Sequence, residues 1–244
     1  MQNYRARVYG HYNTARESEL APPTLAGLES RSHFIRKMIV NHFPSDKNAV
    51  ILDIGCGHGA ILYFAIIAGY VNAYGVDGSA EQVSAAHKLG ISSVRQEDLK
   101  GHLLSVSAGS LDCIIAFDVI EHFRRDELIE LVDLVHRALK PGGRWIIHTP
   151  NGESPFAGRM LFGDFTHETL FTKTSVSQLL LSSGFANVRC FEDRPIPHGL
   201  VSSIRFALWH CIRCVLRLYL AVESGDAGRN AVFSQNFLVT AISV

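Results

Sequence analysis

Three glycines between Asp53 and Ala60, in the segment DIGCGHGA, form the sharpest chemical signal of the sequence. An apolar, strand-like run precedes them and a helix-like run follows. Glycine tolerates positive φ angles and lets a ligand approach the backbone, and the start of a helix offers unpaired N–H groups. The segment therefore predicts a loop that binds a small ligand through its backbone.

The acidic residues around this loop discriminate between two kinds of ligand. Gly55, Gly57 and Ala60 fit the dinucleotide fingerprint, and Asp77 lies near the distance expected for a ribose-binding acid. Asp53 stands two residues before the first glycine, and a fixed carboxylate there repels a diphosphate but attracts a cationic amine or sulfonium. The pattern favours a ligand that carries an adenosine and an amino acid over one with a pyrophosphate.

A second group of polar side chains is expected at the ends of later strands. Residues three and four apart share a helical face, so Asp118, Glu121 and His122 are expected to converge, joined by His167 from a later loop. Carboxylates and imidazoles form a divalent cation site, and such a cation binds a hydroxyl and lowers its pKa. Without a cation, His122 or His167 would act as a general base. His148, at a buried strand end, is expected to be structural. Further candidates are Asn151, Asp164 and Thr166.

The elements that position these residues alternate between short apolar runs and helical segments, a pattern typical of a parallel sheet covered by helices. The predicted strands are 50–56, 72–77, 93–97, 111–118, 144–149, 187–193 and 237–244, and the predicted helices are 60–68, 79–89, 126–139 and 174–183. We therefore predict an α/β fold with a doubly wound, mostly parallel sheet whose last strand is antiparallel.

Two segments lie outside this alternation. Residues 1–45 look helical and are predicted to be a flank or lid in front of a domain that covers 46–244. Residues 194–234 form a predicted helical insertion before the last strand. Either a lid over the ligand or an amphipathic flanking helix would account for the aromatic and basic residues near the start, which are Tyr4, Arg5, Arg7, Tyr9 and Tyr12.

The chain resembles the class I S-adenosylmethionine-dependent methyltransferases. The resemblance rests on DIGCGHG (53–59), YGVDGS (74–79), QEDL (96–99), LDCIIAFDVIEH (111–122) and HTPN (148–151), which follow the order and spacing of that family. These segments cover about residues 45–195. The resemblance implies a Rossmann-like fold, S-adenosylmethionine as the cofactor and an enzyme that transfers a methyl group.

The resemblance also implies which residues bind the cofactor. Asp53 and the glycine backbone would hold the methionine part, and Asp77 would accept hydrogen bonds from both ribose hydroxyls. Asp98 would accept from the adenine amino group with Leu99 against the ring, and Phe117 would line the sulfonium side. The full predicted set is Asp53, Gly55, Cys56, Gly57, Gly59, Asp77, Gly78, Asp98, Leu99 and Phe117. The alternative is that the glycines only pack helix against strand and that Asp77 or Asp98 caps a helix.

The run from Asp118 to His122 resembles the E-x-x-E-H segment of ubiquinone-biosynthesis O-methyltransferases and of small-RNA 2′-O-methyltransferases. Those families place a further histidine before an aromatic-Thr or aromatic-Ile pair, as His167 precedes Phe171 and Thr172 here. This chain departs from the pattern because Asp118 replaces the first glutamate with a shorter side chain. Mg²⁺ is the cation expected for a mixed, oxygen-rich site.

The segment 200–222 predicts a very apolar helix with a basic stripe. Such a helix suits a peripheral membrane contact, a homodimer interface or a roof over the substrate. Together with 163–185 it loosely resembles methyltransferases that act on saccharides, glycolipids or polyprenyl quinones. We therefore expect O-methylation of a small or lipid-linked acceptor. Cys211 and Cys214 lack a second pair of ligands, so they are interpreted as core or interface thiols rather than a zinc site.

Composition narrows the remaining possibilities. The 23 basic and 23 acidic residues cancel, which removes the electrostatic signature of a nucleic-acid binder and makes RNA the less expected acceptor. Five cysteines, an odd number, argue against a disulfide framework, and the first 20 residues carry no apolar signal segment, so we expect a cytoplasmic protein. The alternatives left open are an RNA 2′-O-methyltransferase, a nicotinamide-dependent oxidoreductase and a non-catalytic cofactor-binding subunit.

Overall fold

The computed structural model describes residue 8, residues 21–226, residue 228 and residues 230–244. The aromatic and basic residues of the predicted lid, from Tyr4 to Tyr12, lie outside these ranges. Before the sheet, the described chain forms a 3₁₀ turn, Leu25–Arg31, and the helix α1, Ser32–His42.

One seven-stranded sheet organises the described residues, in the order β3-β2-β1-β4-β5-β7-β6. Its strands are β1 Ile51–Ile54, β2 Ala73–Asp77, β3 Val94–Gln96, β4 Leu111–Phe117, β5 Leu139–Pro150, β6 Phe185–Glu192 and β7 Asn236–Ser243. The first five strands are parallel, and β7 runs antiparallel to both of its neighbours. The strand order reverses between β1 and β4, and ligands bind outside the carboxyl ends of the strands at such a switch point.

Seven more helices follow α1 along the described chain. They are α2 Ala60–Ile67, α3 Ala80–Lys88, α4 Leu99–Ser105, α5 Arg125–Ala138, α6 Ala157–Phe162, α7 Lys173–Ser182 and α8 Leu200–Ser224. None of the described helices is long and apolar enough to cross a membrane. The predicted doubly wound α/β fold with an antiparallel last strand is confirmed.

Apolar side chains cover both faces of the sheet. Leu52, Ile114 and Trp145 pack with α4, α5 and α7 on one face. Their neighbours Ile51 and Ile115 pack with α1, α2 and α3 on the other. Because both faces are buried, each central strand is a continuous apolar run rather than an alternating one. These two layers hold the carboxyl ends of β1, β2 and β4 side by side.

Local signals explain where the elements start and stop. Ser79 caps α3 by accepting a hydrogen bond from the backbone N–H of Gln82, and Gly90 follows that helix with a φ of 82°. The strand β5 is longer than predicted, since it begins at Leu139 and includes Pro141. Leu139 pairs with Leu111 before a register shift, so the turn residues that end α5 lie inside the strand.

Candidate active site

The glycine loop between β1 and α2 adopts a backbone that side chains would disrupt. Gly55, Gly57 and Gly59 all have positive φ angles, of 65°, 54° and 78°. A Cβ atom on Gly55 would lie 2.7 Å from Cγ2 of Val119, and one on Gly59 would lie 2.8 Å from Cγ2 of Val94. The loop therefore requires glycine both for its conformation and for its close packing, and it exposes backbone rather than side chains to a ligand.

The Asp53 carboxylate has no hydrogen-bond donor among the described residues. Its side chain, at the end of β1, is 1% exposed, and neither carboxylate oxygen has a hydrogen-bond partner among the described residues. Burial, and then the charge of Asp77, raise the pKa of Asp53 well above its usual value. A buried carboxyl group in this state fits a ligand that brings a positive charge or N–H donors, as the ammonium group of S-adenosylmethionine does.

Asp77 is held firmly by the backbone around it. Its Oδ2 accepts a hydrogen bond from the N–H of Gly57 and its Oδ1 accepts one from the N–H of Ser79, both at 2.8 Å. Each carboxylate oxygen has two lone pairs, so both can accept a second hydrogen bond from a diol. Apart from its chain neighbours, no atom of the described residues lies within 4 Å of a Cβ built on Gly78, which leaves room beside the carboxylate.

Asp98 has a structural partner. It is the N-cap of α4, and its Oδ2 accepts a hydrogen bond of 2.8 Å from the N–H of Gly101. The helix-capping alternative thus describes this side chain, and its contact with an adenine stays a prediction. Leu99, half-buried, packs against the sheet core.

A cleft of about 260 Å³ lies over the glycine loop. The backbone from Gly55 to His58 forms its floor, and Phe117 and Asp118 at the end of β4 form one side. Leu28 and Ile35, from the 3₁₀ turn and α1, form another. The cleft thus joins the loop, the switch point of the sheet and the segment before the sheet.

Asp118 lies apart from the histidines with which the sequence grouped it. Its φ of 53° interrupts the chain direction, so 118–122 is not one helix, and a 3₁₀ turn covers only Ile120–His122. The Oδ1 atom of Asp118 accepts a hydrogen bond of 2.9 Å from Nδ1 of His148. The shared helical face assumed from the spacing is absent here, and Asp118 does not join the candidate cation ligands.

Glu121, His122 and His167 do converge, with one ligand atom from each lying within 4.8 Å of the others. Glu121 is fully buried, and its Oε2 accepts a hydrogen bond of 3.0 Å from the hydroxyl of Thr149. Its Oε1 has no hydrogen-bond partner among the described residues. Burial, and then the charge of Asp118, raise the pKa of Glu121 to about 8. The buried carboxylate thus calls for a positive charge beside it.

The hydrogen bonds around the two imidazoles fix which nitrogens carry protons. Nδ1 of His122 lies 2.9 Å from the hydroxyl of Thr166, whose own proton goes to Asp164, so His122 donates from Nδ1. Nδ1 of His167 lies 2.8 Å from the carbonyl of Met160 and must also donate. In each neutral ring Nε2 is then the unprotonated nitrogen, the form that ligates a metal. Burial, and then His167, lower the pKa of His122 and favour this neutral form.

The loop between α6 and α7 holds His167 in this position. The backbone N–H groups of Glu168 and Thr169 both donate to the carbonyl oxygen of Glu121, at 2.8 and 3.3 Å. The loop is thereby docked onto the 3₁₀ turn that carries Glu121 and His122. The cluster needs two threonines as hydrogen-bond partners. Thr166 is one of the further candidates from the sequence, whereas Thr149 is not singled out.

His148 is more than the structural strand-end residue expected from the sequence. It is 1% exposed, stacks on Phe117 at 4.7 Å, and lies between Asp118 and Asp193, whose Oδ2 is 3.6 Å from its Nε2. Burial alone would lower the pKa of His148, but its hydrogen bond with Asp118 and the nearby charge of Asp193 raise it to about 9. Its position near the carboxyl end of β5, paired with Phe117 of β4, was the available signal.

Comparison with known proteins shows which family has this sequence pattern. The methyltransferase-domain family matches residues 28–189, more than half of the chain. A tRNA U34 carboxymethyltransferase of Desulfotalea psychrophila is 28% identical over 180 residues, which cover 69% of this chain and 55% of that protein. The chain thus spans about half the length of this relative. Cyclopropane mycolic acid synthase 3 of Mycobacterium tuberculosis is 27% identical over 198 residues, with 78% and 68% covered.

Solved structures share the fold. A SAM-dependent methyltransferase from Archaeoglobus fulgidus superposes with a TM-score of 0.66 at 18% identity and covers 96% of this chain and 99% of its own. Geranyl diphosphate C-methyltransferase from Streptomyces coelicolor, solved with Mg²⁺, geranyl diphosphate and S-adenosyl-L-homocysteine, gives a TM-score of 0.58 at 16% identity, with 90% and 81% covered.

Proposed function

We propose that this chain, which belongs to the methyltransferase-domain family and is an S-adenosylmethionine-dependent enzyme, methylates a hydroxyl group of a small or lipid-linked acceptor. The observation that carries the choice of a hydroxyl is the convergence of Glu121, His122 and His167 next to the strand end that borders the cofactor cleft. A hydroxyl, unlike an amine or a thiol, needs strong help to lose its proton near neutral pH.

The cofactor cleft would hold the methyl donor in position for the reaction. S-adenosylmethionine, when bound, provides a methyl group already activated by a positively charged sulfur. Asp53 would accept hydrogen bonds from its amino group, Asp77 would accept from its ribose, and the glycine backbone would lie against its methionine part. Holding both reactants in line accounts for much of the acceleration of a displacement reaction.

Deprotonation of the acceptor hydroxyl would depend on Glu121, His122 and His167. One buried carboxylate and two imidazoles with unprotonated Nε2 atoms would hold a divalent cation, whose chemistry is to lower the pKa of an acceptor hydroxyl. Two nitrogen ligands suit Zn²⁺, Mn²⁺ or Fe²⁺ better than the Mg²⁺ expected from the sequence. In the absence of a cation, His167 or His122 would accept the hydroxyl proton at Nε2.

A second cavity supports an acceptor with an apolar part. It measures about 470 Å³, within the range of small-molecule sites, and lies between α1, β6 and α8. Its apolar walls include Phe34, Phe191 and Phe206. Phe34 also contacts Phe117, which lines the cofactor cleft, so the two cavities share a wall. Two of the similar proteins are named for mycolic acid and geranyl diphosphate.

Transfer of isotope-labelled methyl groups from S-adenosylmethionine into a fractionated cell extract tests this function. We expect label in an O-methylated, lipid-soluble or saccharide product, a loss of transfer with a chelator, and no transfer by Glu121→Gln. Glu130→Gln, on the exposed side of α5, is the matched control and should behave like the wild-type enzyme. Label in RNA, the acceptor suggested by the tRNA-modifying relative, would contradict the proposed acceptor class.

A further inference from the structure

The outward face of α8 is a long apolar surface that the described residues leave uncovered. Nine large apolar side chains on this one helix are each 49–80% exposed. They are Leu200, Val201, Ile204, Leu208, Ile212, Val215, Leu218, Tyr219 and Val222. A 25-residue helix is about 37 Å long, and monomeric proteins rarely expose so long a continuous apolar surface.

The basic residues of α8 form no row beside this face. Arg213 turns toward the protein, where its Nε lies 2.9 Å from Oε2 of Glu192. Arg217 is half-buried, and the charged residues of α8 that are exposed are Arg205 and Glu223, one near each end. Helices that lie on anionic membranes carry rows of lysine and arginine beside the apolar face. The face on α8 lacks them, so its charge distribution favours a protein partner.

The spacing of the exposed residues is that of helices that pair with helices. Val201, Leu208, Val215 and Val222 recur every seven residues, and Ile204 begins a second series that continues with Cys211 and Leu218. All seven side chains are exposed. Two interleaved apolar series of this kind are the a and d positions of a heptad repeat.

The face is also partly symmetric under reversal of the helix, although reversal places Arg205 opposite Leu218 and Glu223 opposite Leu200. About a midpoint between Cys211 and Ile212, Leu208 is the counterpart of Val215, Ile204 of Tyr219, and Val201 of Val222. A two-fold interface requires a surface that is complementary to itself when reversed. An antiparallel pair also brings Arg205 to the same end as Glu223 of the second copy, whereas a parallel pair would place like charges together.

We propose that α8 packs antiparallel against α8 of a second copy of this chain, with the two-fold axis near Cys211 and Ile212. The interface covers the nine exposed side chains and leaves both cavities of each copy on the other side of the helix. It does not depend on the reaction proposed above, because it uses no residue of the cofactor cleft or of the cation cluster.

Molar mass in solution tests the pairing directly. Sedimentation of the wild-type protein should give twice 26.9 kDa, and Leu208→Glu or Val215→Glu should give the monomer. Val40→Glu is the matched control because Val40 is an 82% exposed valine on α1, and this variant should remain a dimer. Thermal unfolding and S-adenosylhomocysteine binding by each variant establish that it is folded. A wild-type monomer, or a Leu208→Glu dimer, overturns the proposal.

The two native thiols on α8 test the direction and register. Mild oxidation of the dimer should link Cys211 to Cys211 of the second copy, because both lie beside the axis within reach of a disulfide. Cys211→Ser should abolish this link, and Cys214→Ser, the control, should preserve it. A link that persists in Cys211→Ser contradicts the register. Binding of the wild-type monomer to phosphatidylcholine–phosphatidylglycerol vesicles would assign the face to a membrane and overturn the proposal.

Discussion

The two carboxylates beside the glycine loop differ in the hydrogen bonds that the folded chain donates to them. Asp77 receives two backbone N–H groups, whereas Asp53 is buried and receives no hydrogen bond from the part of the chain that the structure describes. A satisfied carboxylate is a rigid acceptor that adds specificity, and an unsatisfied buried one is a source of binding energy because a ligand removes its desolvation penalty. We therefore expect each to contact a different part of the cofactor.

Asp77→Ala should weaken S-adenosylhomocysteine binding by at least tenfold, about 1.4 kcal/mol, in titration calorimetry. The variant loses the proposed contact to the ribose and also releases the N–H of Gly57, which loosens the loop. Asp133→Ala, an exposed acid on α5, is the control and should bind with wild-type affinity. Equal affinities for the two variants would contradict the role of Asp77.

His148 should make the free energy of unfolding decrease as pH rises into the alkaline range. Its pKa of about 9 in the folded protein exceeds the unfolded value of 6.5, so its contribution is fully present below pH 6.5 and is lost as pH rises through 9. The free energy of unfolding of the wild type relative to His148→Gln should therefore shrink by on the order of 3 kcal/mol across this range. Urea unfolding at pH values below 6.5 and above 9 measures it, and a constant difference would show that the two carboxylates do not hold the proton.

At the scale of the elements, the sequence predicts what is buried and regular and misses what is short or locally strained. The predicted bounds of β2 and β4 differ from the observed ones by one residue, because buried parallel strands are continuous apolar runs. Helix α6 was missed because its six residues bury no side chain and so show no apolar periodicity. The position of Asp118 was misjudged because a positive φ at a non-glycine residue leaves no mark in the sequence.

The cation cluster joins two such elements, the 3₁₀ turn Ile120–His122 and the loop between α6 and α7. Co²⁺ or Mn²⁺ added to chelator-treated protein should raise the melting temperature, because a cation that binds only the folded state stabilises it by mass action. His167→Ala should lose this increase, and His136→Ala, a half-buried histidine of α5 that contacts Gly184 rather than the cluster, should keep it. Loss of the increase in both variants, or in neither, would contradict binding at this cluster.

At the scale of the whole molecule, α1 connects the two cavities. Its first residues line the cofactor cleft through Ile35, and its later residues, Met38 and His42, line the cavity between α1, β6 and α8. Phe34 lies between them, in edge contact with both Phe117 and His148. Phe34 thus gives one direct contact between the walls of the two cavities.

Saturation with S-adenosylhomocysteine should slow backbone hydrogen exchange in residues 25–42, because the 3₁₀ turn and α1 close one side of the cleft that the ligand fills. The helix α5, on the opposite face of the sheet, is the internal control and should exchange at an unchanged rate. We expect at least a threefold slowing, which corresponds to about 0.65 kcal/mol of added local stability. The contrary result would be equal exchange of residues 25–42 with and without ligand, while exchange in the glycine loop slows. It would show that α1 is not a wall of the occupied site, and it would remove the link between the two cavities.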